Sequence, residues 1–191
     1  MTGKGEASVR RGLDQALDDY LVLLAQGGSQ EAFARLATRW TPRLIAFATR
    51  NLGTTEAAKD AVQDTWENAW RNLRRLDDPA RFRAWLYAIA ARKCTDAVRA
   101  KYRGQRIADA ATSARRDAGD VDAEGAEGER IDLAAALKRL PGEQRIAVSL
   151  FFGEDMDVAD IARITGAPPG TVKSRLFAAR KALRASLGEV K

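Results

Sequence analysis

Apolar residues recur at steps of three and four positions along most of the chain, which is the spacing of one buried face of an α-helix. The clearest such face consists of Val62, Trp66, Ala69, Leu73 and Leu76. Asp77-Asp78-Pro79 ends this helix of about five turns, because aspartate favours caps and proline is tolerated in a first turn. The next helix turns the following residues inward: Phe82, Leu86, Ile89, Ala90 and Ala97.

Two further helices are predicted before this pair. Residues 1–15 are polar, contain glycine and follow no period, which predicts a flexible tail. The first helix then carries Leu17, Leu21 and Leu24 on one side. Gly27-Gly28 ends it, and Ser29 caps a second helix that continues through Pro42 to Gly53. The inward face of this second helix comprises Ala32, Phe33, Leu36, Trp40, Leu44, Ile45 and Ala48. The N-terminal part shows no strand pattern.

The periodic pattern stops over residues 104–130, which are rich in Ala, Gly, Asp, Glu and Arg. Residues 117–129 carry six acids and no Lys or Arg. A segment with so few large apolar residues cannot bury enough surface to order itself. We therefore predict a flexible acidic linker between domains at residues 16–103 and 131–191. It is either a plain spacer or an acidic strand that occupies a basic groove meant for nucleic acid.

The second domain begins with a helical face made of Leu133, Ala136, Leu137 and Leu140. Pro141-Gly142 ends that helix, and residues 145–152 form a second, strongly apolar one. Asp157 caps a third helix, with Asp160 three residues later in a capping-box arrangement. The residues expected to be buried on this third helix are Val158, Ile161, Ala162 and Ile164.

A turn over residues 165–170 leads into a last, basic helix, so the spacing predicts a helix-turn-helix. The turn contains glycine, which adopts positive φ at low cost and lets the second helix cross the first. The last helix turns inward Val172, Leu176, Ala179 and Leu183, and outward Lys173, Ser174, Phe177, Arg180, Lys181 and Arg184. Lys173, Ser174 and Phe177 project together near its N-terminal end, where such helices enter a major groove. The alternative is a solvated basic face on an ordinary helical hairpin.

Composition narrows the possible functions. The chain has 191 residues with 46% hydrophobic and 30% charged residues, a net charge of +6 and a pI of about 9.8. A basic balance favours an anionic partner, and nucleic acid is the usual one. There is no histidine, and the single cysteine, Cys94, is predicted to be a packing residue. Nothing points to a metal, a cofactor, a secretory signal or a membrane span, so we expect a cytoplasmic protein.

The strongest charge concentration lies between residues 69 and 106, where eleven Lys and Arg face three Asp. Trp70, Trp85, Tyr87 and Tyr102 are interleaved with these cations. Arginines among flat aromatic rings suit a protein that holds phosphates and stacks unpaired bases.

Four motifs, taken in order, resemble the bacterial sigma factors of the extracytoplasmic-function (ECF) class. They are D-A-V-Q-D-T-W-E-N-A-W at Asp60–Trp70, F-R-A-W-L-Y-A-I-A-A-R-K at Phe82–Lys93, L-P-G-E-Q-R at Leu140–Arg145 and G-T-V-K-S-R-L at Gly170–Leu176. The resemblance covers about residues 16–187. It implies an all-α fold of two small helical domains, of sigma region 2 and region 4 type, joined by the acidic linker.

The resemblance also implies roles for individual residues. The protein would bind core RNA polymerase through Asp60, Gln63, Asp64 and Glu67. It would bind and melt the minus-10 promoter element with Arg74, Arg81, Arg83, Trp85, Tyr87, Arg92, Lys93 and Arg99. Trp85 or Tyr87 would stack on an extruded base, although Trp85 is equally well explained as a core residue. Duplex minus-35 DNA would be contacted by Thr171, Lys173, Ser174, Arg175, Phe177, Arg180 and Lys181.

Two other classes of function compete with a sigma factor. One is a freestanding, dimeric helix-turn-helix regulator whose N-terminal domain senses a ligand. The other is an enzyme acting on nucleic acid, which the lack of histidine, of a metal cluster and of a glycine-rich phosphate loop disfavours. Within the sigma-factor interpretation, the resemblance further implies promoter DNA and an anti-sigma factor as partners, the latter covering both domains.

Overall fold

The computed structural model describes residues 3–111 and 128–187, with side chains from 12–103 and 133–186. All regular structure in these ranges is helical, which confirms the all-α prediction. The helices are α1 (Gly3–Gln26), α2 (Gln30–Leu52), α3 (Thr55–Asn72), α4 (Phe82–Ala111), α5 (Gly128–Arg139), α6 (Gly142–Val148), α7 (Val158–Thr165) and α8 (Pro169–Leu187). Two short 3-10 turns, Leu73–Arg75 and Pro79–Arg81, join α3 to α4, and a π-helical turn, Ser149–Gly153, follows α6.

The predicted breaks coincide with hydrogen-bonded caps. The Ser29 hydroxyl accepts the Ala32 N–H at 3.2 Å. The Asp157 carboxylate accepts the Asp160 N–H at 2.7 Å, so two of the predicted caps are confirmed. Gly166 ends α7 at a φ of 67°, the left-handed region that glycine enters without a Cβ clash.

The first lobe, α1 to α4, encloses an aromatic and aliphatic core. Leu36, Leu44 and Phe47 of α2 are fully buried against Phe82 and Leu86 of α4. Helix α2 passes through Pro42 without ending. The predicted inward face of α3 and its following turn is buried, apart from Trp66, which is half-buried.

Two helices extend beyond the boundaries that the sequence pattern predicted. Helix α1 begins at Gly3, so the tail predicted for residues 1–15 is helical from residue 3 onward. A helix fixed by its buried end extends readily, because each added residue gains one hydrogen bond. Arg39 also holds α1 through Asp14 at 3.1 Å and Asp18 at 2.9 Å. Helix α4 likewise continues to Ala111, into the segment predicted as linker, and residues 112–127 lie outside the described part of the chain.

Two leucines expected in the core lie at the surface. Leu24 is 40% exposed because the inward face of α1 is centred on Asp18, Leu21, Val22 and Ala25. Leu133 is 44% exposed, whereas Ala136 and Leu140 on the same helix are buried.

The second lobe, α5 to α8, packs directly against the first. Ile161, Ile164, Val172, Leu176 and Ala179 are buried at its centre, as the spacing predicted. Helix α7 lies against α4, while α5, α6 and the π-helical turn contact α2. The buried residues of both lobes form one continuous hydrophobic cluster. This contact between lobes determines how several candidate functional residues are presented.

Candidate nucleic-acid and protein interfaces

A polar stripe runs along the outer face of α3. Asp60, Gln63, Asp64 and Glu67 follow helical spacing and are all exposed, while the opposite face is buried. The Gln63 amide donates to Glu67 at 3.4 Å, so neighbours in the stripe support one another. The four residues predicted to bind polymerase therefore form one accessible surface.

Exposed cations follow this stripe along the chain, on the turns between α3 and α4 and on α4 itself. Arg74, Arg81, Arg92 and Arg99 are exposed. Arg81 pairs with Asp78 at 3.2 Å, in the turn before α4. Such exposed pairs are weak and exchange readily, so these guanidinium groups stay available to phosphates.

Lys93 behaves differently from the other cations of the first lobe. Its ammonium group lies 3.1 Å from the Asp64 carboxylate, and its side chain is 30% exposed. The pair joins a residue predicted to bind DNA to one predicted to bind polymerase. A polymerase contact at Asp64 would therefore change the availability of Lys93.

The exposure of Trp85 is intermediate between what a base-stacking role and a core role would require. Its ring packs on Phe82 with centroids 6.1 Å apart and an angle of 37°, and the side chain is half-buried. Part of the indole therefore supports the core and part faces solvent. Its stacking role stays a prediction.

Tyr87 is fully enclosed. Its ring lies 5.3 Å from the Phe47 ring and 6.2 Å from the Trp40 ring, and its hydroxyl donates to the Glu154 carboxylate. Burial, reinforced by Glu154, raises the pKa of Tyr87 well above its ordinary value. In this arrangement of the chain the ring is not accessible to a base, and the stacking role of Tyr87 stays a prediction. Helical periodicity could not show that the second lobe covers this position.

Arg83 is also engaged by the second lobe. Its guanidinium group donates to the backbone carbonyl of Glu154, and Arg50 of α2 forms an ion pair with the Glu154 carboxylate. Glu154 itself is 8% exposed. We call Arg50, Arg83, Tyr87 and Glu154 the interlobe cluster. Helical spacing gave no indication of Arg50 or Glu154, and the only signal in the sequence was the position of Glu154 directly after an apolar helix.

Helix α8 presents the predicted basic face. Lys173, Ser174, Arg180 and Lys181 are exposed, and Phe177 is 69% exposed although it is a large apolar residue. An exposed ring among cations on a helix-turn-helix suits contact with DNA.

Two of the predicted α8 contacts are held inside the lobe. Thr171 is half-buried, and its backbone carbonyl accepts the Ser174 hydroxyl at 2.9 Å. Arg175 pairs with Glu143 of α6, and its side chain is 21% exposed. The Arg175–Glu143 pair links α8 to α6, and the predicted DNA contacts of Thr171 and Arg175 stay predictions.

Cys94 is buried, as predicted, and burial raises the pKa of its thiol to about 12. Within the described ranges, no three His, Cys, Asp or Glu residues are grouped as metal ligands. In the same ranges, no helix has the length and apolar character to span a membrane.

Both lobes match known family models. Residues 36–104 match Sigma-70 region 2, and residues 130–183 match Sigma-70 region 4. The two matched ranges therefore fall on the two lobes.

Whole-length relatives agree with these matches. The chain is 33% identical to the ECF RNA polymerase sigma factor SigM of Mycobacterium tuberculosis, over 93% of this chain and 88% of the relative. It is 29% identical to the RNA polymerase sigma-H factor of Pseudomonas aeruginosa, over 92% of this chain and 96% of the relative. The sigma factor RpoE of Bartonella quintana, solved in complex with the anti-sigma factor NepR, is similar at a TM-score of 0.66 and 27% identity, covering 83% of this chain and 98% of that one.

Proposed function

The chain belongs to the ECF class of RNA polymerase sigma factors, and we propose that it binds core RNA polymerase and directs it to promoters through the surfaces described above. The observation that carries the proposal is the pairing of a region 2 lobe and a region 4 lobe, each with an exposed polar or basic face. Its action is binding rather than catalysis. The cytoplasm, which holds both polymerase and chromosome, is its proposed location.

The α3 stripe is the proposed polymerase contact. Asp60, Asp64 and Glu67 give it three negative charges, and all are exposed. A rim of charges speeds association and sets partner choice more than it adds affinity. Charge reversal within the stripe should therefore slow holoenzyme assembly.

The exposed arginines of the first lobe, with Trp85, form the proposed minus-10 surface. Extruding a base costs a few kcal/mol, and stacking on an aromatic ring returns about 1–3 kcal/mol per base. These terms nearly cancel, so phosphate contacts from Arg81, Arg92 and Arg99 decide the balance. We infer that melting is confined to weakly stacked promoter steps.

Helix α8 is the proposed reader of duplex minus-35 DNA. Lys173 and Ser174 supply donors to phosphates and base edges, and Phe177 supplies an apolar contact to a thymine methyl group. Arg180 and Lys181, farther along the helix, are placed to follow the phosphate backbone.

We also propose an anti-sigma factor as a partner. The support is the similarity to RpoE, which was solved with NepR. Exposed apolar residues on α1, namely Leu13, Tyr20, Leu23 and Leu24, offer a surface that such a protein could cover. A pull-down from native cells that yields polymerase and no second binding protein would contradict this partner.

Gel filtration with purified core polymerase tests the main proposal. The intact chain should co-elute with core polymerase, and Asp64→Arg should weaken that complex. Arg35→Ala is the surface control, because Arg35 is exposed on α2, a helix that carries none of the proposed contacts. Failure of the intact chain to co-elute would refute the proposal. Tight binding to palindromic duplex without polymerase would favour the freestanding regulator instead.

A further inference from the structure

One ion pair inside the first lobe joins two surfaces that have different proposed partners. Lys93 of α4 reaches across to Asp64 of α3, and its ammonium nitrogen lies 3.1 Å from the carboxylate oxygen. Asp64 belongs to the stripe proposed to bind polymerase, and Lys93 belongs to the surface proposed to bind minus-10 DNA. Whatever binds one member of this pair therefore changes the charge that the other member faces.

The register of α4 places Lys93 at the border of these two surfaces. Trp85 and Arg92 are seven positions apart and lie on one line along the helix, whereas Lys93 is rotated from that line by roughly a quarter turn. The rotation is toward α3, because that is where its counter-ion lies. The Lys93 side chain is still 30% exposed, and a lysine stem is flexible, so its ammonium group can change partner.

Other cations of the proposed minus-10 surface are not held by the α3 stripe. Within the described ranges, Arg92 and Arg99 form no ion pair. Arg81 pairs with Asp78, three residues before it in the same turn. Lys93 differs from these three arginines because its counter-ion belongs to the proposed polymerase contact.

A DNA phosphate and the Asp64 carboxylate compete for the same ammonium group. Asp64 is 58% exposed, so solvent screens its attraction for Lys93, and the pair is weak enough to exchange. An exposed ion pair of this kind should lower the affinity of Lys93 for a phosphate by about two- to fivefold. This penalty applies as long as the Asp64 charge is not taken by another cation.

A basic protein surface at Asp64 would end the competition. The stripe carries Asp60, Asp64 and Glu67, so electrostatic complementarity requires a basic partner there. A cation bound to Asp64 neutralises the carboxylate, and Lys93 then lacks a counter-ion. The nearest anion that can replace it is a phosphate of DNA bound along α4.

We propose that Lys93 and Asp64 form an exchange pair: Asp64 holds Lys93 in the free chain, and a basic polymerase surface that binds Asp64 releases Lys93 to a phosphate of the unpaired minus-10 strand. Such coupling is reciprocal, so the DNA strand in turn favours polymerase binding at Asp64. This inference rests on the proposed function for the identity of the protein that binds Asp64. The competition itself is a property of the isolated chain.

Fluorescence anisotropy at low salt tests the competition in the free chain, with a labelled oligothymidylate of about twelve nucleotides as the probe. Asp64→Asn should bind this strand about two- to fivefold more tightly than wild type. Asp60→Asn is the matched control, because it removes the same charge one helical turn away on the same stripe, and Asp60 has no ion-pair partner in the described part of the chain. Its gain in affinity should be smaller. The gain from Asp64→Asn should disappear when Lys93→Ala is added.

The second arm measures Lys93→Ala in the holoenzyme, on a native promoter fragment whose minus-10 region is kept unpaired by mismatches. The slope of log affinity against log salt concentration should fall by about 0.7, because one phosphate contact to a single strand is lost. In the free chain, where Asp64 holds Lys93, the same substitution should change the slope for the oligothymidylate less.

Two outcomes would overturn the exchange pair. The first is an Asp64→Asn chain that gains no more affinity than Asp60→Asn, or whose gain survives Lys93→Ala. The second is an equal change of slope for Lys93→Ala in the free chain and in the holoenzyme. If the chain does not bind polymerase at all, the proposed function fails instead, and the comparison of free variants still decides the competition.

Discussion

Replacing Trp85 by alanine separates the two roles that its half-buried position allows. Full truncation of a buried tryptophan costs about 3–5 kcal/mol of stability. Since only part of the indole is buried against Phe82, we expect a loss of about 2 kcal/mol in the free energy of unfolding. Loss of base stacking should remove a further 1–3 kcal/mol, or about 5- to 150-fold, from the open-complex equilibrium.

Urea unfolding of the free chain and permanganate detection of melted thymines in the holoenzyme measure these two effects. Trp70→Ala is the matched control, because Trp70 is 46% exposed and packs on Phe33 at 4.8 Å without a proposed DNA role. Both variants should lose stability, but only Trp85→Ala should lose melting at temperatures where both are folded. Equal melting by the two folded variants would refute the stacking argument.

Three further changes test charge and backbone geometry. Lys173→Ala should lower the slope of log affinity against log salt concentration by about 1 when holoenzyme binds promoter duplex, because one phosphate contact is lost. An unchanged slope would show that Lys173 does not contact a phosphate. Burial raises the pKa of the Asp18 carboxyl above its ordinary value of 3.8, although Arg39 acts in the opposite direction. Because the folded chain then binds this proton more tightly than the unfolded chain, the stability of wild type relative to Asp18→Asn should fall as pH rises through the raised pKa. Urea titrations at several pH values measure this trend, and a rise with pH would contradict it. Gly166→Ala should lower the free energy of unfolding by about 1 kcal/mol, measured by thermal unfolding, because φ at this position is 67°. An added Cβ meets no atom within 4 Å, so backbone strain is the only cost, and a neutral effect would contradict the argument.

Local signals in the sequence were enough to predict most of the helical fold. Caps such as Ser29 and Asp157 act within three residues, and the α8 core face follows one period, so both can be found without tertiary information. The same reasoning correctly left Lys173 and Phe177 outside.

The features that the sequence did not reveal have a common cause in contacts between distant residues. Arg50 and Glu154 are 104 positions apart, and the spacing around Tyr87 is the same whether its outer side meets water or a second lobe. Arg39 of α2 pairs with Asp18 of α1, 21 residues earlier in the chain. No local period carries information about such pairings.

Mapped transcription tests the central claim most directly. Core polymerase should start at defined promoter positions on native DNA only when the intact chain is added. Arg92→Ala and Lys173→Ala should each reduce or shift those starts, while Arg35→Ala should not. Start sites and transcript yields that are the same with both alanine variants as with the intact chain would contradict the account.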